Sequence, residues 1–321
     1  MTSPPLAPGA GATGREWPDR LAGVGKARRW WRTRGHDLDA QAELARRPLP
    51  LPAGLEIEWL GTAGYHLRYQ GASLVVDPYF TRASLGDVAR RRPLVADPTM
   101  VDRMLGADAD VVAVAVGHTH FDHAVDVPAV VGRHGCPAYG SSSLAHLLGL
   151  HGMSGRAVTV EPHRRYEAGP FTLRFVPSAH SKLLAGLAVP ADGELTCDHV
   201  DGLSGAAYRC GQVFGIHITV ADTTIYHQGS AAFVEDELTT GPVDVFLAGI
   251  AGRAWSPGYV GDIVRILRPS VVVPGHYDDF FRPLDDEMGF SFNVNLAAFV
   301  DEVGALSPDL EIAALAPRRP A

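Results

Sequence analysis

The stretch Val111-Val-Ala-Val-Ala-Val-Gly-His-Thr-His-Phe-Asp-His123 decides how this chain is read. Its unbroken, valine-rich run predicts a strand buried on both faces, and Gly117 ends it. Directly beyond stand His118, His120, Asp122 and His123, four potential metal ligands within six residues. A glycine after a buried strand opens a loop at the strand's carboxyl end, where open α/β sheets carry their sites. One histidine in such a place is usually a satisfied or solvated side chain. Three imidazoles and a carboxylate together are costly to place there unless something binds them.

Size and composition set the frame. The 321 residues have room for one large domain or two modest ones, and 46% hydrophobic and 20% charged content suits a soluble globular protein. No segment reads as a membrane span, and the start, Met1-Thr-Ser-Pro-Pro-Leu-Ala-Pro-Gly9, lacks the apolar centre of a signal peptide. Cys136, Cys197 and Cys210, an odd number without Cys-x-x-Cys spacing, predict reduced thiols rather than a disulfide framework, so the expected location is the cytoplasm. A net charge of −8 argues against a nucleic-acid partner. The charge is uneven: residues 1–50 hold nine Lys/Arg against five Asp/Glu, about +4, and the remainder carries about −12.

Residues 1–14 have no apolar periodicity and read as a disordered tail. After Trp17, residues 26–34 are basic with Trp30 and Trp31 interleaved, a composition that suits a membrane-interface anchor. The apolar face is short and broken by glycines, however. That favours an extension whose tryptophans pack on the main domain or on a second subunit of a homo-oligomer, with the arginines in solvent. A helix over 37–47 and the stiff Pro48-Leu-Pro-Leu-Pro52 then separate an N-terminal extension, 1–50, from a domain over 51–321.

From residue 55 the pattern becomes short strands, at 55–60, 65–69 and 73–76, the last ending on Asp77-Pro78. Helices are expected over 97–105, over 125–134 with its amino end toward the histidines, and over 141–151. Residues 171–176 alternate as a strand that runs into His180. The glycine-bearing segment 182–209 is long and irregular, as site-covering loops often are. A hairpin over 211–228, buried strands at 243–248 and 270–273 around a helix over 257–267, and a closing helix over 290–303 complete the chain. The second of those strands runs into Pro274-Gly-His-Tyr277.

The spacing His-x-His-x-Asp-His, carried by His118, His120, Asp122 and His123, resembles the signature of the metallo-β-lactamase-fold hydrolases, and the likeness spans roughly residues 55–290. It implies an α/β (α+β) fold class, a four-layer αββα sandwich with the site at one edge between two halves; the strand–helix order above suits it. By the same resemblance, His118, His120 and His180 form one metal site, and Asp122, His123 and His276 form a second. Asp77 matches a strand-end aspartate that orients a ligand. Zn²⁺ is the expected ion, with Mn²⁺ or Fe²⁺ as alternatives, and a zinc-bound hydroxide is the expected nucleophile, oriented by Asp122. The likeness is strongest to the lactonase and phospholipase-D-like branches, which implies attack on an ester, lactone or phosphodiester. A non-hydrolytic metal-binding or ligand-sensing protein on the same fold is the alternative.

One position departs from the family. A bridging aspartate usually follows the second hairpin strand, but here the text is His227-Gln-Gly-Ser-Ala231, and Ser230 stands in its place. A hydroxyl is a poorer ligand than a carboxylate for a hard divalent cation. One ion is therefore expected to bind firmly and the second more weakly. An anionic small-molecule substrate would complete the neutralisation, or Gln228, two residues away on the same strand face, would supply an amide oxygen. Lys182, Tyr277, Asp278 and Arg282 are the candidate substrate contacts at the rim.

Overall fold

The computed structural model describes residues 16–183, 186–291 and 294–321, with side chains from Gly23 onward. Six strands form one sheet in chain order: β1 (Glu56–Gly61), β2 (Gly64–Tyr69), β3 (Ala72–Val76), β4 (Asp110–Ala115), β5 (Ala138–Gly140) and β6 (Ala157–Thr159). Seven form the other, again in chain order: β7 (Arg165–Ala168), β8 (Phe171–Pro177), β9 (Phe214–Val220), β10 (Thr223–Gln228), β11 (Val245–Gly249), β12 (Val271–Gly275) and β13 (Glu311–Ile312). Each sheet begins antiparallel and turns parallel, at β3–β4 in the first and at β10–β11 in the second. Tight turns join the antiparallel pairs β1–β2, β2–β3, β7–β8 and β9–β10, whereas antiparallel β8 and β9 are linked by the long segment 178–213, and parallel pairing needs crossovers.

The helices are α1 (Glu16–Thr33), α2 (Asp37–Leu44), α3 (Leu85–Ala89), α4 (Pro98–Leu105), α5 (Phe121–Ala124), α6 (Val127–His134), α7 (Ser142–Leu150), α8 (Tyr259–Leu267) and α9 (Leu296–Leu306). Strand alternation sets the layers. Leu74 and Val76 of β3 and Ala113 and Ala115 of β4 join a cluster with Leu173, Phe175, Ile216 and Ile218 of the second sheet. Their neighbours Val75 and Val114 belong instead to a cluster with Met104 of α4, Val130 of α6 and Leu147 of α7. Ile263 of α8 and Phe299 of α9 pack at the second sheet. The result is the four-layer αββα sandwich.

Two differences from the expected elements have local causes. The closing helix starts at Leu296 rather than near residue 290, because the Asn295 side chain caps it, accepting from the Ala298 N–H at 2.7 Å. Residues 292–293 lie outside those described. Strands β6, β7 and β13 have two to four residues each and too little alternation to be read from sequence.

The N-terminal extension is built into the body. Trp30 is buried, with the Arg253 guanidinium 3.8 Å above its ring. Lys26 pairs with Glu302 of α9 at 3.0 Å, and Asn295 donates to the Trp30 carbonyl at 2.9 Å. Buried Asp37 accepts from the Ala297 N–H at 3.1 Å, and Leu44 joins the main core. Trp30 thus packs on its own chain, while Trp31 is 56% exposed and Trp17 lies among the side chains not described.

Candidate metal centre

The expected ligands come from separate strand ends gathered at one edge of the sandwich. Asp77 follows β3, His118 follows β4 and begins the turn into α5, His180 follows β8, Ser230 follows β10, and His276 follows β12. Asp77 and His276 adopt left-handed backbone, φ 42° and 57°. Such conformations cost non-glycine residues about 1–3 kcal/mol and persist where surrounding bonds impose them. Here the Asp77 N–H donates to the Ala115 carbonyl at 3.0 Å and the His276 N–H to that of Thr62 at 2.7 Å.

His118, His120 and His180 converge, with ring centroids 4.7 to 4.9 Å apart. Their hydrogen bonds reveal which nitrogen is free, since a carbonyl can only accept. His120 Nε2 donates to the Pro190 carbonyl at 2.8 Å, leaving Nδ1 with its lone pair. His180 Nδ1 donates to the Ser181 carbonyl at 2.8 Å, leaving Nε2. His118 Nε2 is buried with no partner. Burial, and then the neighbouring imidazoles, hold His118 well below its ordinary pKa and push His180 down to about 3. All three are therefore neutral at pH 7. Neutral rings that each keep a nitrogen unengaged, in His120 and His180 with the other nitrogen fixed by a carbonyl, are what a divalent ion requires.

Asp122, His123 and His276 form a second group whose potential ligand atoms lie within 4.8 Å of one another. His123 Nδ1 donates to Asp77 Oδ2 at 2.8 Å, which leaves Nε2 turned toward Asp122 Oδ2, 3.8 Å away. Asp77 Oδ1 meanwhile accepts from the Gly117 N–H at 2.7 Å, so one buried carboxylate ties the end of β4 to a ring that follows it. Burial opposes ionisation of Asp122, but His123 and His276 outweigh it and hold the carboxyl well below the usual range. Gly229 is required here by close approach: a Cβ would lie 3.0 Å from Asp77 Oδ2 and 3.2 Å from His123 Cε1.

Several sequence candidates lie elsewhere. Ser230 does reach the site, but its Oγ accepts from the Ser181 N–H at 3.0 Å. Gln228 is turned away from the cavity: its amide oxygen accepts from Ser178 Oγ at 3.2 Å and from the Tyr226 hydroxyl at 3.5 Å, and its nitrogen donates to Ser178 Oγ and to the Ser230 and Ala232 carbonyls at 2.8 to 3.0 Å. Of the four rim candidates, none lines the cavity over the ligands. Tyr277 is buried, stacked on Phe290. Asp278 is paired with Arg82 at 2.9 Å and accepts from the Thr62 N–H. Arg282 donates to the Glu287 carbonyl, and Lys182 is exposed while its neighbours Ser181 and Leu183 face the cavity. Cys210 is a residue that sequence reasoning missed: a ligand atom of His118, one of His120 and the Cys210 thiol lie within 4.8 Å. Burial first, then nearby carboxylates, push that thiol up to about 12, so it is protonated in the metal-free protein. No spacing links it to the histidines; only the path of the long loop brings it there.

Above the ligands opens a cavity of about 570 Å³. His120, Asp122, His180 and His276 form its floor, and aromatic and aliphatic side chains form most of its walls. Among the described lining residues there is no lysine or arginine.

Known proteins share this fold. Residues 56–276 match the family described as the beta-lactamase superfamily domain. A UPF0173 metal-dependent hydrolase of Rhizobium meliloti is 24% identical over 247 residues, 74% of this chain and 91% of that protein. Igni18, a metallo hydrolase from Ignicoccus hospitalis, superposes with a TM-score of 0.54 at 17% identity, covering 83% of this chain and 97% of that one. CmlA, a diiron β-hydroxylase from Streptomyces venezuelae, gives 0.52 at 16% identity, over 84% of this chain and 54% of its own. Strand order and a match over most of the chain agree: this protein belongs to the beta-lactamase superfamily, in the metallo-β-lactamase fold that its metal-dependent hydrolase relatives share.

Proposed function

We propose that the protein hydrolyses an uncharged carboxylic ester or lactone, with Zn²⁺ as the tightly held ion and a second, weaker ion beside it. His118, His120 and His180 would hold the first, and Asp122, His123 and His276 the second. The observation that carries this reading is the state of the rings: in His120, His180 and His123 a backbone carbonyl or Asp77 accepts from one N–H and leaves the other nitrogen's lone pair for an ion. A bound divalent ion supplies a Lewis acid and lowers the pKa of water toward neutrality. Asp122, ionised on the cavity floor, can accept a proton from the attacking water. Asp77 keeps the His123 proton on Nδ1 and so keeps Nε2 available.

A substrate whose groups beyond the reacting bond are uncharged is favoured, because away from the metal-binding floor the described walls offer no ammonium or guanidinium to meet a negative charge. No helix among the described residues is long and apolar enough to cross a membrane. Three free cysteines, two of them buried, support a cytoplasmic location as part of the same proposal. The test is a panel of 4-nitrophenyl butyrate, γ-lactones and bis(4-nitrophenyl) phosphate, run on protein loaded separately with zinc, manganese or iron. Turnover of esters or lactones well above the phosphodiester, abolished by chelation and restored by zinc, is expected. The opposite order would refute the substrate class. Metal-replete protein inert to every member would favour the non-hydrolytic alternative.

A further inference from the structure

We infer that α1 forms one wall of a hydrophobic substrate subsite, and that the substrate carries an alkyl chain or aromatic ring that lies against Trp31. The inference rests on the hydrolytic reading for the scissile carbonyl and on the cavity alone for the apolar group.

The walls divide into two aromatic sides. On one, Phe121, Phe280 and Phe281 cluster, the last two with ring centroids 4.3 Å apart and Phe121 6.3 and 6.4 Å from them. On the other stand Trp255 and, from α1, Ala27 and Trp31. The position of α1 is enforced rather than incidental. Trp30 is pinned beneath Arg253, and Glu302 pairs with both Lys26 and Arg253. Successive helical residues point about 100° apart, so fixing Trp30 inward turns Trp31 toward the cavity mouth. One face of the helix also rests on Trp255: a Cβ on Gly23 would lie 2.6 Å from Trp255 Cε3.

The result is an indole that lines a cavity yet remains 56% exposed. Apolar surface left open beside a reaction centre marks where a ligand buries its own apolar surface. A cavity of about 570 Å³ falls within the range of small-molecule sites, roughly 300–1,000 Å³. Helix α1 ends at Thr33, before the family match begins at residue 56. This wall therefore lies outside the matched family domain, and it would tune specificity without touching the candidate metal ligands.

Two readouts on the full-length chain test the idea. The first is binding of the uncharged fluorophore N-phenyl-1-naphthylamine to metal-free protein, followed by its emission. Wild type should bind it, Trp31→Ala should weaken binding roughly fivefold to tenfold, and Trp31→Phe should retain most of it. The second is kcat/KM of zinc-loaded protein for 4-nitrophenyl esters from acetate to octanoate. It should rise with chain length, by up to about fourfold per methylene buried, and Trp31→Ala should flatten that slope. Probe binding and slope both indifferent to Trp31→Ala would overturn the subsite, whatever the esterase rate. Probe binding that depends on Trp31, in a protein that cleaves no ester, would support the subsite and refute the hydrolytic reading instead.

Discussion

Replacing Asp77 by asparagine tests whether the metal centre depends on proton placement. The side chain is fully buried and holds two donors, the Gly117 N–H at 2.7 Å and His123 Nδ1–H at 2.8 Å. Asparagine keeps the volume and can still accept from Gly117, but its NH₂ group then faces the His123 N–H. Two donors cannot bond to each other. His123 must move its proton to Nε2, the nitrogen that faces Asp122, or rotate away; either change removes a ligand from the second ion. Loss of such an orienting partner typically costs tenfold to a hundredfold in metal affinity, about 1.4–2.7 kcal/mol. The metal-free fold should suffer less, because the amide also spares the cost of a buried charge. Zinc titration by calorimetry with elemental analysis, alongside thermal unfolding of the metal-free protein, separates the two effects. Wild-type affinity for both ions in Asp77→Asn would refute the assignment of Asp77 as the residue that positions His123.

Three further outcomes are expected. Wild type should hold close to one zinc per chain tightly and the second only at raised concentration, and Ser230→Asp, which places a carboxylate on the cavity floor, should raise second-site occupancy in elemental analysis; two equally tight ions in wild type would contradict this. A chain starting at Leu51 should aggregate or lose on the order of 3–6 kcal/mol in urea unfolding, because it loses the buried Trp30 and Leu44, each worth roughly 1.5–3 kcal/mol; wild-type stability would show that the extension is only an appendage. Burial pushes the Glu58 carboxyl up, but His66, Arg318 and Arg68 outweigh it and hold it at about 2 against an ordinary 4.5. Its depressed folded value means the stabilisation is complete above pH 4.5 and is lost as pH falls toward 2. Wild type should therefore lose on the order of 2 kcal/mol between pH 5 and 3 that Glu58→Gln does not, in urea unfolding at each pH; parallel profiles would refute it.

What the sequence by itself determined is what lies close along the chain. His118, His120, Asp122 and His123 were legible because a buried strand, a terminating glycine and four ligands occupy one contiguous stretch, and a strand end leaves little freedom in where they point. His180, His276 and Asp77 were legible through the family resemblance, each marked by its own strand end. The layers came with the same resemblance; β3 and β4 read as unbroken apolar runs, and only the structure shows their alternate residues feeding opposite clusters. The tertiary structure alone decided the surroundings of the site. Rim residues near His180 and His276 in sequence turn elsewhere, Asp278 to Arg82 and Tyr277 to Phe290, because partners on other segments hold them. Cys210 and Trp31 carry no sequence signal for the site. One arrives by the course of a long loop and the other because Arg253, Glu302 and Asn295, more than two hundred residues away in sequence, hold α1 in place. The candidate ligands at 118–123 are specified by short-range geometry, whereas their meeting with His180 and His276 and the walls around them are set by packing between distant segments, which only the folded chain brings together.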